Sequence, residues 1–473
     1  MYQKGQLIEA TISDRAEDER CFARLENGIG VFVQGYLAIG DRVEAEIFKV
    51  KKNYLEAKAK RLLAPSPQRV EARCTHFGVC GGCKWQHLDY AAQLEQKAKQ
   101  VRDALTHIGM FSAVEVLPTI GAEEIFHYRN KIEFSFSDQR FVLEHERELL
   151  EKPIDFALGF HAPRRFDKVV DIDRCYIASP EMNVALNVVK AFAHRSGLEP
   201  YSMRTNQGFW RHLCVRKAFR TNEVMINLVT SWHEADLMQD LLAELQHALP
   251  QSLTTLVNNI TTSKSGTSVG EEEKVIFGKG FITEKLRDLS FKISANSFFQ
   301  TNTAQAEKLY EAVLKMAELS PNDVVYDLYC GTGSIALFIA HQCKKVLGIE
   351  LVASAIQDAR DNAVLNGLEN CMFHQLDLKE FRKLAPELSA FGLPDVVITD
   401  PPRAGMHPDA VSFLLKLSPK RIVYVSCNPA SLARDAKLLC VHGNYGLRLV
   451  QPIDMFPHTN HIESIAVLEK ISS

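Results

Sequence analysis

Several short stretches of this 473-residue chain carry side chains able to do covalent or binding chemistry. Ser426-Cys427-Asn428-Pro429 follows the strand candidate 421–425, so its thiol falls in a loop at a strand end. A thiol exposed there can add to an electrophilic ring, whereas Cys21, Cys214, Cys343 and Cys371 read as small buried hydrophobes. In Asp454-Met455-Phe456-Pro457-His458-Thr459-Asn460-His461-Ile462-Glu463, the last carboxylate can remove a ring proton while His458 and His461 position the loop or substrate. Asp400-Pro401-Pro402-Arg403 ends another strand, its prolines restraining a loop that leaves Asp400 available as an acceptor. Cys74, Cys80 and Cys83 surround Gly81-Gly82, a pair that permits a tight turn converging the thiols. Iron–sulfur and zinc both suit such thiolates, and His76 or His87 can replace a cysteine in a zinc site.

A further turn, Asp327-Leu328-Tyr329-Cys330-Gly331-Thr332-Gly333-Ser334, follows the strand candidate 324–328. Its glycines allow close backbone approach, and Asp327 can orient a polar cofactor group. Glu350 ends the next strand, where a carboxylate accepts ribose hydroxyls. The three-glycine phosphate fingerprint and a Walker lysine are both missing, so S-adenosylmethionine fits better than NAD or ATP. Asp377 either recognises the adenine or caps the following helix.

These residues need elements to hold them. Residues 7–62 alternate polar and apolar side chains in short strands, suggesting a small β-barrel. Its last third is basic, with Lys49, Lys51, Lys52, Lys58, Lys60 and Arg61 facing only Glu56 within 49–61; this is either a solvated strand pair or an RNA-facing surface. Pro65-Ser66-Pro67 marks a boundary. Leu94, Ala98, Val101, Leu105 and Ile108 recur at helical spacing as one packing stripe. Residues 127–290 read as α+β, with a helix near 232–248. From residue 304 a helix leads into βα units, predicting a doubly wound α/β sheet with ligands at its strand ends.

Composition sets the frame. Hydrophobic residues at 46% and charged residues at 24% predict a soluble multidomain globule. The balance of 55 basic against 58 acidic residues excludes a polycation that holds nucleic acid by bulk charge. With no secretory-type apolar opening, no 18-residue apolar run and only 11 cysteines, the expected compartment is a reducing cytoplasm.

Taken together, the cysteine cluster, Phe298-Phe299-Gln300, the glycine turn, Asp400-Pro401-Pro402-Arg403, Ser426-Cys427-Asn428-Pro429 and His461-Ile462-Glu463 resemble the RNA uracil-5-methyltransferase family. The resemblance covers nearly the whole chain and is strongest to the 23S ribosomal RNA branch, which has an N-terminal OB-like TRAM barrel and an iron–sulfur domain. It implies a Rossmann-like S-adenosylmethionine-dependent catalytic domain that methylates carbon 5 of a uridine in 23S ribosomal RNA through a cysteine adduct. The implied nucleophile is Cys427 and the base Glu463, with Asp400 near cofactor and uracil. Gln300, Tyr329, Glu350 and Asp400 are implied in or beside the cofactor pocket, with Asp327, Gly331 and Gly333 shaping its floor. Cys175 is the implied distant fourth ligand of a 4Fe-4S cluster with Cys74, Cys80 and Cys83. Two segments resemble RNA-facing parts of the family and nominate Arg129, Lys131, Arg211 and Arg216 for phosphates. The implied domains are a barrel at 1–64, a central iron–sulfur and RNA-binding domain at 65–90 and 127–290, and a discontinuous catalytic domain at 91–126 and 291–473. The competing enzyme reading is an adenine or cytosine amino methyltransferase, because a similar Asp-Pro-Pro segment occurs in such enzymes, but it leaves Cys427 and Glu463 without a role. A ribosome-assembly protein with a vestigial core is the non-enzyme alternative.

Overall fold

Alternation closes the first unit. In β1 (Leu7–Arg15) and β4 (Arg42–Val50), Ile8, Ala10, Ile12, Val43, Ala45 and Ile47 point inward and their neighbours outward. With β2 (Cys21–Arg24), β3 (Gly30–Gln34) and β5 (Tyr54–Ala64) they form a closed barrel of order β1-β2-β3-β5-β4. The computed structural model describes the chain except residues 1, 17–19, 144–145, 147–152, 265, 267, 381–390 and 472–473. Buried Asp41 fastens the barrel to the next segment, accepting from the Ser66 amide at 2.9 Å and Arg69 Nε at 2.8 Å. The barrel's basic tract is partly neutralised from the neighbouring strand: Lys60 pairs with Glu46, Arg61 with Glu44, and Lys49 with Glu56. Lys51, Lys52 and Lys58 are exposed. Reading residues 49–61 alone missed two acidic partners because they lie across the antiparallel β4–β5 pairing.

Helix α1 (Tyr90–Ala104) starts at Asp89, whose side chain accepts from the Ala92 amide. It is followed by a π-helical turn at Leu105–Gly109, and Ile108 is exposed, so the expected apolar stripe does not continue that far. The buried face instead includes Gln93, Gln96 and Lys97. The short β6 (Glu115–Val116) then pairs with β21 (Tyr445–Ile453), taking this early segment to the C-terminal sheet.

The central sheet comprises β7 (Lys131–Ser137), β8 (Ala157–His161), β9 (Val169–Asp171), β10 (Trp210–Lys217), β11 (Val224–Thr230), β12 (Leu253–Ile260) and β13 (Glu272–Phe277), in the order β13-β12-β11-β10-β7-β8-β9. Helices α2 (Pro180–Arg195) and α3 (Ala235–Ala248) bury Met182, Leu186, Val189, Met238, Leu241 and Leu245 against its apolar face. The hairpin of β14 (Phe281–Leu286) and β15 (Leu289–Ser294) spans residue 290 and places Ile282, Leu286, Phe291 and Ile293 in one core with α4 (Thr303–Ala317).

The C-terminal sheet runs β18-β17-β16-β19-β20-β22-β21-β6. Its parallel strands are β16 (Val324–Leu328), β17 (Lys345–Glu350), β18 (Cys371–Gln375), β19 (Val396–Thr399) and β20 (Arg421–Ser426). Antiparallel β22 (Glu463–Lys470) inserts between β20 and β21. Helices α5 (Ser334–Ile339), α6 (Ala353–Leu365), α7 (Pro408–Leu417) and α8 (Pro429–Gly443) complete the βα units. Strand order reverses at β16, next to β19, and such a switch point opens a crevice at the carboxyl ends of the strands. Among the described residues no helix is long and apolar enough to cross a membrane.

Candidate active site

Strand register brings the distant reactive residues together. Ser426 on β20 pairs with Ser464 on antiparallel β22, so Cys427 and Glu463, each one residue further toward the same end, come to the same edge of the sheet. Thr399 of β19 neighbours Tyr424 of β20, which sets Asp400 at the same strand ends. A cavity of about 1260 Å³ opens there, lined by Cys427, Glu463, Asp400, Arg403, His461 and Arg129 on one side. Gln300, Tyr329, Gly331, Glu350 and Asp377 line it as well.

The loop after β20 is stiffened locally. The Asn428 amide donates to Ser426 Oγ at 3.1 Å, and Asn428 Oδ1 caps α8 by accepting from the Ala430 amide at 3.0 Å. Asn428 Nδ2 donates to the Arg403 carbonyl at 2.9 Å, tying the thiol loop to the Asp-Pro-Pro loop. Burial pushes the Cys427 thiol up to about 11, helped by Glu463 and Asp400 and opposed by the Arg403 guanidinium. Burial also raises Asp400 to about 7 and holds Glu463 well above the usual carboxyl range, with Asp400 adding to the rise and Arg403 opposing it. Two carboxyls this close resist simultaneous ionisation and titrate as a pair. His461, lowered to about 4 by burial and nearby Arg403, is neutral near pH 7. Arg403 is the member of this group to which sequence reasoning gave no role; its place in the Asp-Pro-Pro-Arg run was the available signal.

These directions predict a pH dependence. Cys427 must lose its proton to attack, and Glu463 must be ionised to act as a base. Raised values for both mean that the active ionic form is scarce at low pH and grows as pH rises. We expect log kcat/KM to climb with pH, with a slope that falls from about two to about one as Glu463 ionises while Cys427 stays mostly protonated. Asp400→Asn, by removing the negative neighbour of Glu463, should move the break to lower pH. A flat profile between pH 6 and 9 would contradict these assignments.

The glycine turn forms the neighbouring part of the wall. Tyr329, Gly331 and Gly333 all have positive φ, of 61°, 54° and 78°. A Cβ on Gly331 would meet nothing within 4 Å, whereas one on Gly333 would approach the Phe373 ring to 2.9 Å, so Gly333 serves close packing behind the wall. Asp327 also lies behind it, fully buried, accepting from the Ala336 amide at 3.0 Å. Glu350 faces the cavity with its carboxylate oriented by the amides of Gly331, Leu351 and Val352. Asp377 accepts from the Lys379 amide at 3.0 Å and also lines the cavity. Phe298 is 66% exposed at the rim and Phe299 is core.

The nominated cations divide. Arg129 lines the cavity over the Phe456 ring, and Lys131 is half-buried near Glu133. Arg211 and Arg216 are only 2% and 3% exposed. Arg211 donates to the carbonyls of Thr261 and Ser263, and Arg216 to those of Ala295 and Ser297, so both brace the scaffold from inside rather than presenting charge to solvent. Burial by tertiary carbonyls leaves no trace in local sequence.

Cys74, Cys80 and Cys83 lie on the turn before α1, and Cys175 lies between β9 and α2, where Asn183 accepts from its amide at 2.7 Å. Cys80 and Cys83 pack on the same core as Cys175, and burial raises both to about 12, with the neighbouring cysteines adding to the rise. All four are free thiols, and no group of three metal-ligating side chains is closed around a metal-sized space among the described residues. The donor set and its gathering on one core suit a soft metal centre, although the thiols would have to draw together to hold it. His87 is committed elsewhere, its Nε2 lying 3.1 Å from the Leu37 carbonyl.

Comparison with known proteins agrees with this architecture. A model of the family described as tRNA (Uracil-5-)-methyltransferase matches residues 89–471, and a TRAM domain model matches residues 2–60. The chain is 52% identical to an uncharacterized RNA methyltransferase of Chlorobaculum tepidum, over 99% of this chain and 97% of that one. It is 40% identical to an uncharacterized RNA methyltransferase of Porphyromonas gingivalis, over 97% and 98%. A solved structure of Pyrococcus abyssi tRNA (uracil-54, C5)-methyltransferase in complex with S-adenosyl-L-homocysteine is 31% identical, with a TM-score of 0.74, covering 98% of this chain and 100% of that one. The chain therefore belongs to the tRNA (Uracil-5-)-methyltransferase family, with a TRAM domain ahead of its catalytic region.

Proposed function

We propose that this protein methylates carbon 5 of a uridine in RNA, with Cys427 as nucleophile and Glu463 as base. The observation that carries the reading is the β20–β22 register, which brings that thiol and that carboxyl to one sheet end, where both line a cavity large enough for a nucleobase and a nucleoside cofactor. Bound S-adenosylmethionine would supply the methyl group. Glu350, Asp377, Tyr329 and Gln300 would hold it, and their mixture of carboxylate, aromatic and amide groups suits a ribose and an adenine. Cys427 Sγ adds to carbon 6 of the uracil, and the ring electrons that move toward carbon 5 take the methyl group. Glu463 removes the carbon-5 proton, and the carbon–sulfur bond breaks to return the thiolate. Arg403 supports the thiolate, and the desolvated cavity strengthens that attraction. Purified protein, uridine-containing RNA and labelled methyl donor should yield 5-methyluridine; a methylated amino group instead would select the rival enzyme reading.

For the substrate we propose 23S ribosomal RNA, from the basic tract on the barrel and the added cysteine domain. Transfer RNA is a second reading, favoured by the full-length likeness to a transfer RNA enzyme. Nucleoside analysis of separated RNAs from a strain lacking the gene decides between them, since 5-methyluridine disappears from one class alone.

Cys74, Cys80, Cys83 and Cys175 are proposed to hold a 4Fe-4S cluster, bracing the 74–83 turn against the central core. We also propose the three-domain division at 1–64, 65–90 with 127–290, and 91–126 with 291–473. Anaerobically purified protein should contain about four irons and four sulfides and absorb broadly in the visible range. Stoichiometric zinc without iron would reject the cluster. Retention of the cluster in Cys175→Ala would reject the fourth ligand.

A further inference from the structure

The central sheet has a second, polar face. The pairings His212↔Ser135, Cys214↔Glu133 and Arg216↔Lys131 put these side chains opposite the apolar set of Leu213, Phe134, Val215 and Ile132. At the His212 end lies a separate cavity of about 190 Å³, lined by Ser135, His161, Tyr201, Arg211 and His212 and edged by Phe166. At the other end Arg216 bonds to the Ser297 carbonyl, and Ser297 lines the same large cavity as Cys427. Four strand residues separate the ends, a span of about 13 Å at the strand rise.

The small cavity is edged by the connection between β8 and β9, which carries Arg164, Arg165 and Phe166. Phe166 is 72% exposed, the two arginines are exposed as well, and the acidic Asp167 is paired with Arg204. A large aromatic ring held in water between cations gains nothing for the fold. Such a ring offers a stacking face for a nucleobase, and the flanking guanidinium groups complement a phosphodiester. The Arg211 guanidinium, stacked 3.9 Å over Tyr201, gives the cavity a flat polar wall. The histidine and serine side chains can address a base edge.

We propose that the 164–166 tip and the adjoining cavity bind a nucleotide of single-stranded RNA a few positions from the uridine held at Cys427. This deepens the functional reading and rests on RNA being the substrate. A strand reaching both the tip and the large cavity would be held at two points, and the energy of stacking on Phe166 would help offset extrusion of the target base.

Fluorescence anisotropy with a labelled single-stranded oligouridylate of about a dozen nucleotides tests it. Phe166→Ala should weaken binding about tenfold, the value expected for one lost base stack, whereas Phe166→Trp should retain it. Arg164→Ala/Arg165→Ala should weaken binding and flatten its salt dependence. These residues are exposed, so S-adenosylmethionine affinity should stay unchanged and serves as the folding control. Parental affinity in Phe166→Ala and in the double arginine variant overturns the proposal, whatever protein surface the tip then serves. If the unaltered protein methylates no uridine, the functional reading fails instead, and the anisotropy comparison still judges the tip.

Discussion

Cys427→Ala should reduce kcat by at least about 10⁴-fold while S-adenosylmethionine and RNA still bind. The side chain contributes a bond-forming atom, and among the described residues the other cysteine lining the cavity, Cys330, lies at the glycine turn, buried beside Gly331. The covalent step has its own readout. With 5-fluorouridine RNA and methyl donor, carbon 5 carries no proton for Glu463 to remove once methylated, so the adduct stalls. The parent protein should give an RNA–protein complex that survives denaturation, and Cys427→Ala should give none. Glu463→Gln should build up the same complex on ordinary uridine RNA, because addition proceeds and elimination does not. Turnover by Cys427→Ala within tenfold of the parent would rule out the covalent route.

Why these two residues were legible separately, and their meeting was not, follows from what each depends on. A cysteine between Ser and Asn-Pro at a strand end announces its loop position through local turn chemistry, although the thiol itself is half-buried. Its distance from Glu463 depends on β22 entering antiparallel between β20 and β21, and no local pattern states that register. The βα units were readable because four parallel strands, β16, β17, β19 and β20, are buried on both sides and leave apolar runs, whereas the edge strand β18 exposes Met372 and leaves none. Charge was the least readable property. The basic tract lost part of its excess to Glu44 and Glu46 across a strand pair, and Arg211 and Arg216 went inward to carbonyls. Meanwhile the exposed Arg164-Arg165-Phe166 tip drew no attention, because three residues in a loop have no periodicity to report.

Helix α1 hides the most consequential polar group. A stripe analysis counts Leu94, Ala98 and Val101 and passes over Lys97, which is fully buried with its Nζ 2.5 Å from Asp454 Oδ1 and 3.0 Å from the Phe456 carbonyl. Tyr90 donates to the other Asp454 oxygen at 2.9 Å. From the same helix Gln93 Oε1 accepts from the His458 amide at 2.8 Å, at a residue held at φ 66°. A non-glycine residue in that conformation costs about 1–3 kcal/mol and persists only where its surroundings enforce it. The amides of Lys84 and Trp85, next to the cysteine turn, also donate to the His458 carbonyl. Thus α1 and the cysteine segment together hold the 454–458 loop, and that loop leads directly into Glu463. Lys97→Met should destabilise the protein by roughly 3–5 kcal/mol, the cost of leaving a buried carboxylate without its cation. Lys97→Met/Asp454→Asn should recover most of that loss, since removing both charges removes the penalty. If the pair also sets the position of Glu463, the double variant will melt near the parent temperature yet show reduced kcat with unchanged S-adenosylmethionine affinity. Equal kcat in the double variant would confine the pair to stability, and equal stability in Lys97→Met would show that the Lys97 ammonium is not what holds the loop.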